Sequence, residues 1–352
     1  MAYAEWKGKR AEHTCVFEAF FRKEPFKGRY AVFAGLEEVI TFLENFKITQ
    51  QHIAYLKNEL SYMEPEFFTW LEHLSTKSLK VYGVTVGTLV FANEPLLRLE
   101  GPFALLQILE TPILNLLNFA CLVSTNASRM KIIAGASKCI EFGLRRAQGP
   151  NGALTASKYA FLGGFDATSN VEAGFCFGVP IAGTLAHSMI MSFETEDDCE
   201  DSRLVVPANG GDKEDLLTKA LAYREKLQWH HTQLKELYAF VSFGCAFPKT
   251  FSSLVDSYNT KESGIKNFLL VALALSDLGY TPLSIRLDSG DLADLSKYAK
   301  KMFKETGDMF GKDFSNIKVV ASNDLNENAI RDLIAKDHKI DIFGIGTHLV
   351  TC

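Results

Sequence analysis

Residues 284–291 read Ser-Ile-Arg-Leu-Asp-Ser-Gly-Asp, residues 318–324 read Lys-Val-Val-Ala-Ser-Asn-Asp, and residues 341–347 read Asp-Ile-Phe-Gly-Ile-Gly-Thr. Each stretch is a short apolar run followed by acidic, glycine or hydroxyl residues, and a helical pattern usually comes next. Parallel strands that carry polar residues at their carboxyl ends are typical of α/β barrels. We therefore predict an α/β fold with an irregular, TIM-like parallel barrel, whose active site lies at the strand ends.

The predicted βα units extend back to residue 154, because short helical and strand patterns alternate from there onward. We predict strands at 179–183 and 239–245, and a further strand end at 254–258. Helices are predicted at 216–227 and 264–278.

The N-terminal part has a different pattern, in which strands and helices are mixed. We predict a smaller α+β domain at 1–101 and the barrel domain at 102–352, with a mostly helical stretch at 103–147 that could bridge the two. Residues 103–123 are apolar over about the length of a membrane span. They include polar residues and lack a flanking basic cluster, so we expect a buried helix with a break near Pro112.

Composition excludes several classes of partner. The 352 residues are 47% hydrophobic and 22% charged, with a net charge of -5. Such a chain has no general attraction for nucleic acid or anionic lipid, so we expect neither as a partner and expect any anion to be bound locally. Seven scattered cysteines without a C-x-x-C pair indicate a reducing compartment, and no secretory signal is visible, so we expect a cytosolic protein.

Two acidic residues follow the predicted strand at 284–287. Arg286 and Asp288 lie on the same strand face, since side chains alternate with period two. They form either a structural ion pair or a binding pair for an anionic substrate and for sugar hydroxyls or a metal, and we favour a functional role for Asp288. Asp291 is better explained as the N-cap of the following helix.

Other candidate residues lie at neighbouring strand ends. His187 follows the predicted strand at 179–183, and either a structural or a catalytic role is compatible with the sequence. Asp256 could bind Mg²⁺ or orient an imidazole. Gly346 and Thr347 offer backbone N–H groups and a hydroxyl for a phosphate, or the glycines serve only strand packing.

Arg145 belongs to a basic turn and could bind phosphate or close a helix. No zinc-type spacing, Walker A loop or dinucleotide-binding fingerprint is present in the sequence.

Five motifs occur in a fixed order: Ala-Gln-Gly-Pro (147–150), Gly-Gly-Phe-Asp-Ala-Thr-Ser-Asn-Val (163–171), Gly-Thr-Leu-Ala-His-Ser (183–188), Arg-Leu-Asp-Ser-Gly-Asp (286–291) and Gly-Ile-Gly-Thr (344–347). Together they closely resemble the eukaryotic nicotinate phosphoribosyltransferase family, which are type II phosphoribosyltransferases. The resemblance implies synthesis of nicotinate mononucleotide and pyrophosphate from nicotinate and 5-phosphoribosyl 1-pyrophosphate (PRPP). It also implies coupling to ATP hydrolysis, with Mg²⁺ or, in its place, Mn²⁺.

The resemblance assigns roles to individual residues. It implies that His187 is phosphorylated by ATP, that Thr184 and Arg286 contact nicotinate, and that Asp288 meets the ribose hydroxyls. The remaining implied roles are phosphate binding by Gly346 and Thr347, Mg²⁺ placement by Asp256 with Asp288, and contact of Arg145 with phosphate or nicotinate. Related nicotinamide enzymes have an aspartate where this chain has Ser169, which favours nicotinate because an aspartate would repel a carboxylate.

The chain departs from the family pattern at both ends. Family members begin with further residues, including a tyrosine that stacks on the pyridine ring across a homodimer interface, and they continue beyond Cys352. The sequence also ends directly after a predicted strand without a covering helix. We therefore expect both domains to be incomplete. Two alternatives stay open: an inactive truncated form that acts only as a dimer partner, and a relative specific for nicotinamide or quinolinate.

Overall fold

The structure is a computed structural model that describes all 352 residues. The chain divides into two compact units. The first unit comprises Met1–Ser128, Lys158–Gly164 and Cys352, and the second comprises Arg129–Ser157 and Phe165–Thr351. The predicted domain boundary between residues 101 and 102 falls inside the first unit and stays a prediction.

The first unit is α+β. Its helices are α1 (Ala2–Lys7), α2 (Leu36–Glu44), α3 (Gln50–Glu59), α4 (Pro65–Glu72) and the first part of α5 (Phe103–Ala134). Its strands are β1 (Thr14–Ala19), β2 (Ala31–Val32), β3 (Lys80–Gly83), β4 (Leu89–Val90) and β5 (Leu97–Pro102). An antiparallel sheet has the order β1-β5-β3, and β2 pairs with β4.

Helix α5 runs without interruption through Pro112, so the predicted break is wrong. A proline inside a helix costs about 3 kcal/mol because it removes a hydrogen bond and crowds the preceding turn. Leu105, Leu109 and Ile113 flank this point and are buried in the core of the first unit, which offsets that cost. By length and composition alone α5 could cross a membrane, a weak indication because core helices meet the same criterion.

The second unit contains a parallel sheet of six strands. These are β6 (Lys138–Glu141), β7 (Ala167–Thr168), β10 (Ser252–Leu254), β11 (Ser284–Leu287), β12 (Lys318–Ala321) and β13 (Ile342–Ile345), and two short strands, β8 (Leu204–Val205) and β9 (Glu214–Asp215), pair separately. The order is β10-β11-β12-β13-β6-β7, and every neighbouring pair is parallel. All six carboxyl ends therefore lie along one edge, which we call the carboxyl edge.

Helices connect and flank these strands. They are α6 (Gly149–Leu162, whose last residues belong to the first unit), α7 (Val171–Phe177), α8 (His187–Ile190), α9 (Leu216–Leu227), α10 (Leu234–Ala246), α11 (Ile265–Asp277), α12 (Leu292–Phe310), α13 (Glu327–Ala335) and α14 (Thr347–Val350). The predicted class, a TIM-like parallel α/β fold with a smaller α+β unit, is confirmed. As predicted, Asp291 caps α12 by accepting from the N–H groups of Ala293 and Asp294.

Two further predictions about individual elements were wrong. Residues 239–245 lie in helix α10 rather than in a strand, because a short apolar run fits a buried helix as well as a strand. Residues 179–183 form only one bridge, from Ile181 to Thr168. The stretch 103–147 is mostly helical, as predicted, with β6 near its end.

Candidate active site

Polar or charged residues follow the end of every strand on the carboxyl edge. They are Asp256 after β10, Asp288 after β11, Ser322 after β12, Gly346 and Thr347 after β13, Arg145 after β6, and Ser169 after β7. This placement follows from the parallel sheet, because all the strands run in the same direction. The structure thus brings the candidate residues to one edge of the sheet, as the sequence pattern predicted, and their role in a site stays a prediction.

Arg286 is the centre of a hydrogen-bonded group on this edge. Its Nε donates to Ser322 Oγ at 2.9 Å, one Nη to Thr184 Oγ1 at 3.2 Å, and the other Nη to Asp288 Oδ1 at 3.2 Å. The guanidinium lies 5.3 Å from the ring centroid of Phe142. These contacts hold a mostly buried guanidinium, with a side chain 18% exposed, in one orientation.

His187 and Asp256 form a second pair, which is connected to the first. His187 is the first residue of α8, and its Nε2 lies 3.2 Å from Asp256 Oδ1. The Asp256 side chain is 1% exposed, and its other oxygen accepts from the Asp288 N–H at 3.0 Å and from the Ser289 hydroxyl. A carboxylate can only accept, so Nε2 donates its proton in this contact, and in the neutral ring the lone pair is on Nδ1.

A second buried carboxyl group, that of Glu236, interacts electrostatically with Asp256. Glu236 on α10 is fully buried and accepts from the hydroxyl of Ser263 and from Asn267 Nδ2. Burial raises the pKa of Glu236 to about 7, and the negative charge of Asp256 acts in the same direction. Glu236 therefore binds a proton more readily than an exposed glutamate does.

Glycines allow close packing at the ends of β10 and β13. A Cβ on Gly264, in the π-helical turn Thr260–Gly264, would stand 1.8 Å from the carbonyl oxygen of Val255, next to Asp256. A Cβ on Gly344 would stand 2.4 Å from the ring of Phe142. A side chain at Gly264 would collide with the Val255 backbone, and one at Gly344 would collide with the Phe142 ring. Both positions therefore require glycine.

The remaining candidate residues lie on the same edge outside the hydrogen-bonded group. Thr347 begins α14 directly after Gly346, and Arg145 is exposed on the 3-10 turn Leu144–Arg146, which packs beside α14. Ser169 is half-buried, and its N–H donates to the carbonyl of Glu141 at 2.9 Å. The structure thus connects five predicted residues directly, namely Thr184, His187, Asp256, Arg286 and Asp288, while their individual roles stay predictions.

Sequence reasoning missed three contributors to this group: Phe142, Ser289 and Ser322. Ser322 could have been found, because it follows the apolar run 318–321 just as Asp288 follows 284–287. Ser289 lies within a motif that was already singled out. Phe142 directly follows β6, which is not adjacent to the strand β11 of Arg286, so no local signal predicts their contact.

The carboxylates fit a Mg²⁺ site only in part. No group of three or more His, Cys, Asp or Glu side chains gathers to hold a metal. Mg²⁺ often binds through one or two carboxylates together with water and substrate phosphates. Asp288 receives its side-chain hydrogen bonds on Oδ1, which leaves Oδ2 for a ligand, whereas both oxygens of Asp256 already accept from protein groups. Asp256 is thus better suited to orient His187.

Comparison with known proteins places these features in a family. Residues 1–118 match the model of the nicotinate phosphoribosyltransferase (NAPRTase) N-terminal domain. Over its full length the chain is 48% identical to nicotinate phosphoribosyltransferase 2 of Arabidopsis thaliana and 48% identical to nicotinate phosphoribosyltransferase of Dictyostelium discoideum. The chain spans 65% and 60% of the length of these two relatives.

A solved structure agrees with the sequence comparison. The crystal structure of human nicotinic acid phosphoribosyltransferase superimposes on the chain with a TM-score of 0.91 at 40% identity. The match covers 98% of this chain and 71% of the human one. Because both similarity and coverage are high, the chain belongs to the nicotinate phosphoribosyltransferase family.

Proposed function

We propose that this chain carries the catalytic centre for joining nicotinate to PRPP, giving nicotinate mononucleotide and pyrophosphate while ATP is hydrolysed to ADP and phosphate. The observation that carries the proposal is the connected group of His187, Asp256, Asp288, Arg286 and Thr184 on the carboxyl edge of a parallel sheet. Family membership supports the same reaction.

His187 is proposed to accept a phosphoryl group on Nδ1. Asp256 holds Nε2–H, so the lone pair of Nδ1 is the available nucleophile on a side chain that is 43% exposed. The γ-phosphoryl group of ATP would be transferred to Nδ1, and ADP would leave. Asp256 would stabilise the positive charge that develops on the ring, and later hydrolysis would release phosphate.

Arg286 is proposed to bind the nicotinate carboxylate. A guanidinium has five N–H donors, and three of them are used for Ser322, Thr184 and Asp288. Two donors are left, one on each Nη, and both can donate to a carboxylate. Ser169 can donate to the same substrate group, whereas an aspartate would repel it.

The sugar and phosphate groups are assigned to the other side chains. Asp288 would contact the ribose hydroxyls and hold Mg²⁺ through Oδ2, with Asp256 close by; Mn²⁺ is the alternative ion. The ion would neutralise charge on the pyrophosphate leaving group. Gly346 and Thr347 would bind the 5-phosphate, and Arg145 would contact phosphate or nicotinate. Bond breaking at the anomeric carbon then depends mainly on positioning and charge neutralisation.

The test is to incubate the purified chain with PRPP, Mg²⁺ and γ-labelled ATP, and with nicotinate, nicotinamide and quinolinate together. Consumption of nicotinate with formation of ADP supports the proposal, and consumption of either other pyridine alone contradicts it. We expect His187→Ala to abolish both protein labelling and ATP-dependent turnover. His230→Ala, which changes an exposed histidine paired with Glu225, is the matched control and should behave like the wild type.

The inactive dimer partner and the relative specific for nicotinamide or quinolinate give different results in this experiment. The latter would consume nicotinamide or quinolinate alone. An inactive dimer partner would show neither labelling nor turnover, and would appear as a dimer in light scattering. We propose a homodimer for the active form as well, so dimerisation alone does not separate the two. We also propose a cytosolic location, supported by seven scattered cysteines without a C-x-x-C pair.

A further inference from the structure

Glu141 is a buried carboxylate at the carboxyl end of β6 and lies outside the group that centres on Arg286. Its residue is 1% exposed, and its partners are neutral: the N–H of Gly143 and the hydroxyls of Ser157 and Thr168. Burial of a charged group is costly unless hydrogen bonds satisfy it. Here both oxygens accept hydrogen bonds, which offsets the cost of burying the side chain inside the second unit.

These partners belong to three different segments of the carboxyl edge. Gly143 begins the turn that carries Arg145, Ser157 is on α6, and Thr168 ends β7 just before Ser169. The distances from Glu141 Oε2 are 2.9 Å to Ser157 Oγ and 2.6 Å to Thr168 Oγ1. One side chain therefore fixes the two turns that carry Arg145 and Ser169.

The hydrogen bonds extend beyond the carboxylate. The Thr168 hydroxyl accepts from the Asn170 N–H at 2.9 Å, and Asn170 Nδ2 donates to Ser157 Oγ at 3.2 Å. The Thr168 backbone bonds to Pro180 and Ala182, in the segment that leads to Thr184. Ser157, Thr168 and Asn170 are all buried, so water does not compete for these bonds.

We propose that Glu141 is the positioning residue for the nicotinate side of the site, acting through the turns that carry Ser169 and Arg145 and through the segment before Thr184. This inference rests on the proposed function. Glu141 has no hydrogen bond to His187 or Asp256. Those two residues contact each other, and Asp256 also accepts from Asp288 and Ser289, which follow β11. Loss of Glu141 should therefore affect nicotinate binding and leave phosphorylation of His187 intact.

The substitution Glu141→Gln tests this with little change in volume. Glutamine offers one acceptor oxygen in place of two, so either the Gly143 N–H or the pair of hydroxyls loses its acceptor. A second variant, Ser157→Ala combined with Thr168→Val, removes the two hydroxyl donors and keeps the carboxylate. The matched control is Ser252→Ala, which breaks the buried Ser252–Ser284 hydrogen bond at the amino ends of β10 and β11.

We expect both Glu141 network variants to raise the KM for nicotinate about tenfold, because small displacements of binding groups are costly, with little change in His187 labelling. Amide hydrogen exchange in residues 142–148 and 168–171 should become faster, and Ser252→Ala should change neither quantity. Unchanged KM and exchange in the variants, or an equal rise of KM in the control, would overturn the inference.

Failure of the proposed function would be recognised separately. In that case the wild-type chain would neither turn over nicotinate nor bind nicotinate mononucleotide in a calorimetric titration. The claim that Glu141 affects nicotinate binding would then be wrong as well. Hydrogen exchange would still decide whether Glu141 fixes the two turns, since that measurement needs no activity.

Discussion

At the scale of single residues, the candidate site depends on side chains whose hydrogen bonds fix both orientation and protonation. Asp256 selects the tautomer of His187, and three partners fix the plane of the Arg286 guanidinium. Two of these contacts join side chains far apart in the sequence: His187 with Asp256, and Thr184 with Arg286. Substitutions here should therefore change substrate binding and chemistry more than stability.

Arg286→Lys should weaken nicotinate binding although the charge is kept. Lysine cannot supply two parallel N–H donors, and a hydrogen bond to a charged group contributes about 2 kcal/mol, so we expect kcat/KM for nicotinate to fall about 30-fold. Steady-state kinetics with varied nicotinate measures this. Arg331→Lys, at an exposed arginine paired with Glu327, is the control. Equal kcat/KM in the wild type and Arg286→Lys would rule out the two-donor contact.

Glu236 should make stability depend on pH. Its folded pKa of about 7 exceeds the ordinary value of 4.5, so between these values the folded state binds more protons than the unfolded state. The stabilisation is complete below about pH 4.5 and is lost as the pH rises to about 7, by about 3 kcal/mol in total.

Glu236→Gln should remove this contribution. Urea unfolding at pH 5 and pH 8 should show a smaller loss of stability for Glu236→Gln than for the wild type. Glu225→Gln, which changes an exposed glutamate, serves as the control. An identical pH difference in wild type and Glu236→Gln would mean that Glu236 titrates normally.

At the scale of elements, the ends of helices and strands set the site. β10, β11, β12 and β13 place their last residues on one edge, and capping residues start the following helices there. The N-cap of α13 is Asn326, whose side chain accepts from the Ala329 N–H at 3.0 Å. Helix α13 also holds Glu327, which pairs with Arg129 within the second unit.

Asn326→Ala should destabilise the second unit by about 1 kcal/mol, because an alanine N-cap leaves a helical N–H without its acceptor. Asn326→Asp should be close to neutral, since aspartate caps as well as asparagine. Midpoints of urea unfolding, followed by circular dichroism, measure both variants. If the alanine and aspartate variants had the same midpoint, the cap would make no net contribution.

At the scale of the whole molecule, the connected site residues all lie in the second unit. A ligand that binds this site stabilises the folded unit by mass action, by about 2.7 kcal/mol at a concentration of 100 times Kd. Nicotinate mononucleotide should therefore slow amide hydrogen exchange in β10 to β13 much more than in β1 to β5. Equal protection of both regions, or protection of the first unit alone, would contradict a site within the second unit.

The sequence by itself determined the class of the fold and the fact that the candidate residues share one edge of the parallel sheet. An apolar run followed by polar residues recurs at 284–291, 318–324 and 341–347, and this repeat requires parallel strands with polar carboxyl ends. It also identified Asp291 as a helix cap, because capping is a local interaction. These predictions succeeded because neighbours in sequence decide them.

Only the tertiary structure decided how the candidate residues combine. Residues 239–245 became a helix and Pro112 remained inside one, because burial against distant elements outweighs local preference. His187 meets Asp256, and Arg286 meets Thr184, across 69 and 102 residues of sequence. Glu141 likewise meets Ser157 and Thr168 across 16 and 27 residues. Such contacts depend on how separate strands and helices pack, and no spacing along the chain specifies that packing.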